Sequence, residues 1–213
     1  MEFTLWDIVR NLLLAARWTV LLSLASFVGG GIVGLAVLQA RVAKFPWISR
    51  PAAAYISLFQ GTPLLLQLFL VFFGMPLLGL RIEAWTTAVI GLTLCASAFL
   101  AEIWRSGVEA VPKGQWEAGA SLGLGYFSVM RRIILPQAFR IAQAPTVGFL
   151  VQLIKSTSVT SIIGFEELIR ASNSINNATF EPFKVYGVGA LIYFALCFPL
   201  TRYAKALEAR TTG

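Results

Sequence analysis

The sequence predicts an all-α integral membrane protein with five transmembrane helices, and three observations carry that prediction. Of 213 residues, 57% are hydrophobic and 13% charged, with mean hydropathy +0.76; soluble domains carry about 25% charged residues. Charges fall between uncharged runs long enough to cross a hydrocarbon core of about 30 Å at 1.5 Å per helical residue. The longest polar-rich interval, 112–136, lies between such runs and is the part best able to meet a water-soluble partner. The net charge of +7 does not point to nucleic acid, because the basic residues are scattered between apolar segments rather than gathered on one face. With no histidine, the usual zinc and catalytic-base constellations are missing, and Cys95 and Cys197 read as core thiols.

Residues 1–17 mix Glu2, Asp7, Arg10 and Arg17 with Leu5, Ile8, Leu12 and Leu13, the pattern of an amphipathic helix at the membrane interface. The early acidic residues argue against a cleavable signal peptide. The first span is 18–40, 23 residues without a charge, and its Gly30 and Gly34 form a G-x-x-x-G pair suited either to close helix approach or to mere tolerance in lipid. The second, 51–80, is longer than a straight span needs, and Pro63 and Pro76 are expected to break it. Within it Gln60, Thr62 and Gln67 are candidates for a translocation path, since polar groups at membrane depth must face protein or a water-filled cavity; helix–helix hydrogen bonding is the alternative.

The third span, 84–101, ends at Glu102, which can pair with Arg105 one turn on. The fourth, 141–165, contains one charge, Lys155, followed by Ser156, Thr157 and Ser158. These hydroxyls tend to bond nearby backbone and to unwind a helix, exposing polar groups to a cavity. A lysine here costs about 2.5–3.5 kcal/mol on insertion scales, so three readings stand beside one another: attraction of an anionic substrate group, a structural ion pair, or snorkelling to the far surface. The interval 166–181 is polar and reads as a loop, and 185–201 is the last span. The whole is one membrane domain, 1–213.

Within 112–136, residues 115–122 are expected to form a short helix offering Ala118, Gly119 and Ala120 on its exposed side, ended by Gly123 and Gly125. A second short helix would place Phe127, Met130, Ile133 and Ile134 on one face, with Arg131 and Arg132 on the other. An amphipathic loop lying on headgroups is the bland alternative. The spacing Glu117-Ala118-Gly119, three residues, Gly123, nine residues, Ile133-x-Leu135-Pro136 resembles the EAA loop of membrane subunits of bacterial ATP-binding-cassette importers, with Gly119 where alanine is usual. The segments Phe59-Gln60-Gly61-Thr62-Pro63, Ala101-Glu102-Ile103 and Lys155-Ser156-Thr157-Ser158 are similar to those of polar amino acid permeases, with Gln60 replacing a usual arginine.

The resemblance implies a type I importer permease fold and the inner membrane of a bacterium. It implies a chain that pairs with itself or a paralogue, docks two ATP-binding subunits through the EAA loop, and takes a polar amino acid from a soluble binding protein outside. Glu117 would anchor the coupling helix, Ala118 and Gly119 would allow close docking, and Gly123 would make the turn. No G-x-x-x-x-G-K-[ST] phosphate loop occurs, so the chain is not expected to be an enzyme; ATP and Mg would be bound by the partner ATPase, with no cofactor or metal here. Partners are thus the ATPase, a second permease, the binding protein and membrane lipid, without nucleic acid. Eleven of the 17 basic residues fall on the side of the 112–136 loop when five spans are threaded, which puts the N-terminus outside and the C-terminus in the cytoplasm. The alternative function is an ion-gradient-driven secondary transporter of a small polar solute, with Glu102 and Lys155 as coupling groups.

Overall fold

The computed structural model describes residues 4–212, with side chains to 210, and every regular element among them is helical. Helix α1, Leu5–Arg41, starts at a capping box: the Asp7 amide donates to Thr4 Oγ1, and the Thr4 amide donates back to the Asp7 carboxylate at 3.1 Å. It then runs 37 residues, about 55 Å. The separate interfacial helix expected over 1–17 is therefore not separate. The reason is a single buried stripe, Ile8, Leu12, Ala16, Thr19, Ser23, Ser26, Gly30 and Gly34, that continues at three- and four-residue spacing straight through Arg17 and Trp18.

The second half of that stripe packs on α4, Ala84–Glu109. A Cβ added at Gly30 would lie 2.6 Å from Ala96 Cβ, and one at Gly34 would lie 3.0 Å from the Ser97 carbonyl oxygen, so the G-x-x-x-G pair serves close approach within this chain. Trp18 meets Trp85 edge-on at 6.0 Å near the other end. Contacts that advance together along both helices make α1 and α4 parallel, and a third crossing must return the chain between them.

Helices α2, Pro46–Gly61, and α3, Leu64–Leu77, supply that return, bent by 108° at the break between them. Pro63 holds Thr62 extended, at φ −115° and ψ 144°, and cannot donate to the helix before it. Tyr55 donates to the Leu94 carbonyl at 2.9 Å, while Leu68 fills the space over Gly91, so the pair runs antiparallel to α4. Pro76 lies one residue before the end of α3, and Gly79, at φ +80°, turns the chain toward α4. Helix α4 itself passes the expected boundary at 101 and continues two turns, through Glu102, to Glu109.

After α5 (Lys113–Ser121) and α6 (Tyr126–Val129), a π turn, Met130–Ile134, leads without interruption into α7, Leu135–Ser156. The chain thus re-enters the bundle before Pro136 rather than after it. Pro136 has no N–H and its ring would meet the carbonyl four residues back, and the wide turn, closed by the Leu135 amide on the Met130 carbonyl, makes room for it. Helix α7 returns antiparallel to α4, with Phe99 stacked on Phe149 at 5.3 Å and Gly107 against Ala138 and Ala142.

A 3₁₀ segment, Thr157–Ile163, follows α7 and ends at Gly164, φ +88°. The interval 166–181 is not a loop: α8, Leu168–Thr179, fills it, burying Leu168 and Ile175 against Ile8, Leu12 and Val185, and Ser172 beside Gly189. Asn173 and Asn176 are half-buried and Asn177 is exposed, and these polar residues hide the helical spacing. Helix α9, Pro182–Thr212, packs Cys197 against Val151 and Ile154, antiparallel to α7. Cys95 and Cys197 are both free thiols.

Counting α2 and α3 as one broken crossing, the bundle crosses five times. A core of Leu22, Leu68, Leu92, Ala96, Leu153 and Phe165 joins α1, α3, α4, α7 and the segments beyond. One end of the bundle gathers the C-termini of α1, α4 and α9 with α5 and α6; the other gathers α8 and the N-termini of α1, α4 and α9.

Candidate functional site

Two polar surfaces stand out, one at an end of the bundle and one along its side. At the end, α5 folds back on the π turn. The Leu124 amide donates to the Gly119 carbonyl at 3.2 Å and the Gly123 amide to the Ala120 carbonyl at 2.9 Å, a Schellman cap that needs the left-handed Gly123, φ +71°. Gly119 is buried, and a Cβ there would come within 2.7 Å of Val129 Cγ2 and 3.2 Å of Ile133 Cδ1. Its expected place on the outward face is therefore corrected: it brings α5 close to its own chain. Trp116 stacks on Tyr126 at 5.6 Å, and Gln137 Nε2 donates to the Ile133 carbonyl at 2.8 Å. Glu117, Ala118 and Ala120 remain exposed, as do Leu135 and Pro136. Phe127 also faces outward, because Val129 takes the inward position as the π turn shifts the register by which side chains face the core.

Along the side, a cavity of about 380 Å³ opens between α2, α4 and α7, lined among others by Gln60, Thr62, Phe99, Phe149, Gln152 and Ser156. A second, about 340 Å³, shares Gln60 and Phe99 and continues to Glu102 and Ser106. Lys155 lines a neighbouring groove between α7 and α9 that shares Gln152 with the first cavity. Gln60, Gln152 and Lys155 all have exposed side chains, and Lys155 enters no ion pair among the described residues. The structural ion pair weighed for Lys155 is thus not formed within the described chain.

The remaining candidates divide. Gln67 is buried, and its amide nitrogen lies 2.9 Å from the Phe59 carbonyl and 3.0 Å from both the Thr62 carbonyl and Thr62 Oγ1. It ties off carbonyls left open at the end of α2 and lines neither of the two cavities beside the cleft. Thr157 is also buried and donates to the Ile154 carbonyl at 2.7 Å, while Ser156 and Ser158 donate to the Gln152 and Lys155 carbonyls. These back-bonds accompany the switch from α to 3₁₀ geometry. Only Ser156 of the three lines the cavity. Glu102 pairs with Arg105, Oε2 receiving Nε at 2.9 Å, and Arg105 also pairs with Glu109.

Sequence reasoning missed Gln152, whose signal was its position as an uncharged polar residue three before Lys155. It also missed Glu167, fully buried at the start of α8, because the interval had been read as loop.

A helical bundle with a broken second crossing, a folded polar element at one end and an open polar cleft along its side defines a membrane permease subunit rather than a catalyst. Residues 32–213 match the family of binding-protein-dependent transport system inner membrane components, and the chain belongs to that family. It is 38% identical over 215 residues to a probable amino-acid ABC transporter permease protein, YckA, of Bacillus subtilis (strain 168), covering 96% of this chain and 95% of that one. The L-cystine transport system permease protein TcyB of the same organism is 35% identical over 211 residues, covering 96% and 90%. Among solved structures, an amino acid ABC transporter crystallised with histidines superposes with TM-score 0.91 at 30% identity, over 99% of this chain and 100% of that one. The MetNI methionine ABC transporter in an inward-facing form gives 0.73 at 20% identity, over 92% and 96%, and shares the fold. The chain is a multi-pass inner membrane permease subunit of an ATP-binding-cassette importer with the type I fold, not itself catalytic. Its family implies an ATPase and a binding protein as partners.

Proposed function

We propose that the chain forms one half of the translocation path for a polar amino acid, paired with a second copy or a paralogue and driven by two ATP-binding subunits docked on α5. A soluble binding protein delivers the solute from outside, at the end that carries α8. The observation that carries this reading is the exposed polar face of Gln60, Gln152 and Lys155 beside the α2–α4–α7 cleft. Such groups at membrane depth face protein or water, so a second subunit across the cleft accounts for them. A lysine cation without an ion pair among the described residues suits the α-carboxylate of an amino acid. Relatives described as amino-acid and L-cystine permeases support the substrate class.

ATP hydrolysis belongs to the separate subunit, with Glu117 and Ala118 of α5 presented to it. Eleven basic residues gather at the α5 end and five at the α8 end, which supports a cytoplasmic C-terminus and an external N-terminus. Nucleotide-driven closure of the ATPases would then be passed through α5 to the helices around the cleft.

The test is reconstitution of the chain in proteoliposomes with the ATP-binding subunit and binding protein encoded beside it. ATP hydrolysis and labelled amino acid uptake are measured with and without Glu117→Lys. ATP-dependent uptake abolished by that change is the expected result; uptake driven by an ion gradient and indifferent to both ATP and Glu117 would overturn the proposal.

A further inference from the structure

The walls of the cavity between α2, α4 and α7 have a definite chemistry. Two carboxamides supply its open polar groups, Gln60 from α2 and Gln152 from α7, both exposed and neither hydrogen-bonded through its side chain among the described residues. Each offers an acceptor oxygen and two donor hydrogens, and neither carries a charge. The hydroxyls beside them are already committed. Thr62 Oγ1 donates to the Leu58 carbonyl at 2.7 Å and Ser156 Oγ to the Gln152 carbonyl at 2.9 Å, so both keep acceptor capacity but have no proton to give. The rest of the wall is apolar or weakly polar, with the Cys95 thiol and the stacked rings of Phe99 and Phe149. Among the described residues, no carboxylate, lysine or arginine lines this cavity.

The charges around it are already placed. Glu102 lines the adjoining cavity, and one guanidinium takes both its oxygens: Oε1 accepts Arg105 Nη2 at 2.5 Å and Oε2 accepts Nε at 2.9 Å. Every other acidic residue of the described chain stands at one end of the bundle or the other, from Asp7 in the first turn of α1 to Glu208 in the last turns of α9. Lys205 and Glu208 share the α7–α9 groove with Lys155, but the antiparallel packing of these helices sets them at its opposite end. Lys155 itself follows Gln152 by three residues, adjoins Ser156, and forms no ion pair among the described residues.

We propose that this cavity selects an amino acid with an uncharged side chain, and that Gln60 and Gln152 are its specificity-determining residues. The inference rests on the amino acid path set out above and narrows its substrate class. A zwitterion brings one carboxylate, which Lys155 can meet, and one ammonium, which amide oxygens and hydroxyl lone pairs can accept. A neutral side chain then meets amide groups able to donate or accept, or the Phe99–Phe149 wall. A guanidinium or a second ammonium would instead enter beside a lysine with no carboxylate to neutralise it, and a second carboxylate would find no second cation. Either leaves a charge partly desolvated and unpaired.

The experiment is equilibrium binding of labelled amino acids to the membrane assembly, this chain with its permease partner and ATP-binding subunits, in nanodiscs. The soluble binding protein is withheld so that its own selectivity does not enter. Glutamine, serine and methionine are compared with arginine, lysine and glutamate. The tightest neutral amino acid is expected to bind about tenfold or more tighter than any charged one. Gln152→Glu supplies a carboxylate and moves the preference about tenfold or more toward arginine, Gln60→Glu moves it the same way, and Gln152→Lys moves it toward glutamate. Because both side chains are exposed, the melting temperature holds in all three variants. Arginine, lysine or glutamate bound by the unmodified assembly as tightly as the best neutral amino acid, or a Gln152→Glu variant that keeps the unmodified order, would overturn the proposal. So would ATP-driven amino acid uptake by an assembly that binds none of the six. Neither binding nor ATP-driven uptake of any amino acid would instead remove the importer reading beneath it.

Discussion

The α5 end and the α2–α4–α7 cleft are both polar surfaces on an apolar bundle, yet they are built by opposite means. At α5 the helix end is closed by its own backbone and packed on Val129 and Ile133, down to a glycine that leaves no room for a methyl group. Along the cleft, side chains that could have been paired are left open: Gln60 and Gln152 face outward and Lys155 has no counter-ion among the described residues. A self-satisfied surface is rigid and suited to passing force. An unsatisfied one is open to partners from outside the chain.

The difference can be broken first at Gly119. Gly119→Leu places a large side chain where Val129 and Ile133 already lie, an overpacking that typically costs about 1–3 kcal/mol. ATP-driven uptake should be lost almost entirely as α5 lifts away, while the membrane-spanning core keeps its resistance to heat; pull-down of the ATPase subunit checks the cause. At the cleft the contrasting change is Lys155→Met. Removing a charge-assisted bond to a carboxylate, worth about 1.5–3 kcal/mol, should raise the KM for uptake about tenfold or more and leave the melting temperature alone. Unchanged transport would remove Lys155 from the path.

Gln67→Leu sharpens the boundary between the two behaviours, since this residue lies close to the cleft but its amide nitrogen is engaged in closing α2, while Oε1 is buried without a partner among the described residues. It should lower stability by about 1–3 kcal/mol through the carbonyls left bare, with little change in the KM of the surviving protein. The smallest effect is expected from Glu102→Gln. Its pair with Arg105 is partly exposed and worth about 0–1 kcal/mol, and Arg105 retains Glu109. Coupled uptake should be nearly intact, whereas a transporter using Glu102 as its ion-coupling group would stop.

The crossings were legible because an uncharged run of sufficient length has few other homes, and the break at Pro63 because proline fixes its own φ and constrains the residue before it. The turn at Gly123 was legible for a like reason: left-handed backbone is costly for most residues. What sequence could not reveal was direction. Spacing marks Gly119 as small, but only the position of Val129 decides whether that smallness faces out or in. Thr62, Gln67 and Thr157 are equally polar on paper and all three bond to nearby backbone, and the structure shows that Thr62 of the three also lines the cleft. Helix α8 was lost because its Asn-rich face masks the spacing of Leu168, Ser172 and Ile175, and Glu167 was lost with it.

The uninterrupted α1 has a mechanical consequence. Its first turns lie in the same apolar cluster as α8, and its glycines lock onto α4, whose far end carries α5. Two elements at opposite ends of the bundle therefore lean on one stiff strut, and a tilt imposed at one tip displaces the other in the opposite sense. A proline placed at Val20 would put a joint in that strut, and motion at one face would then no longer be felt at the other.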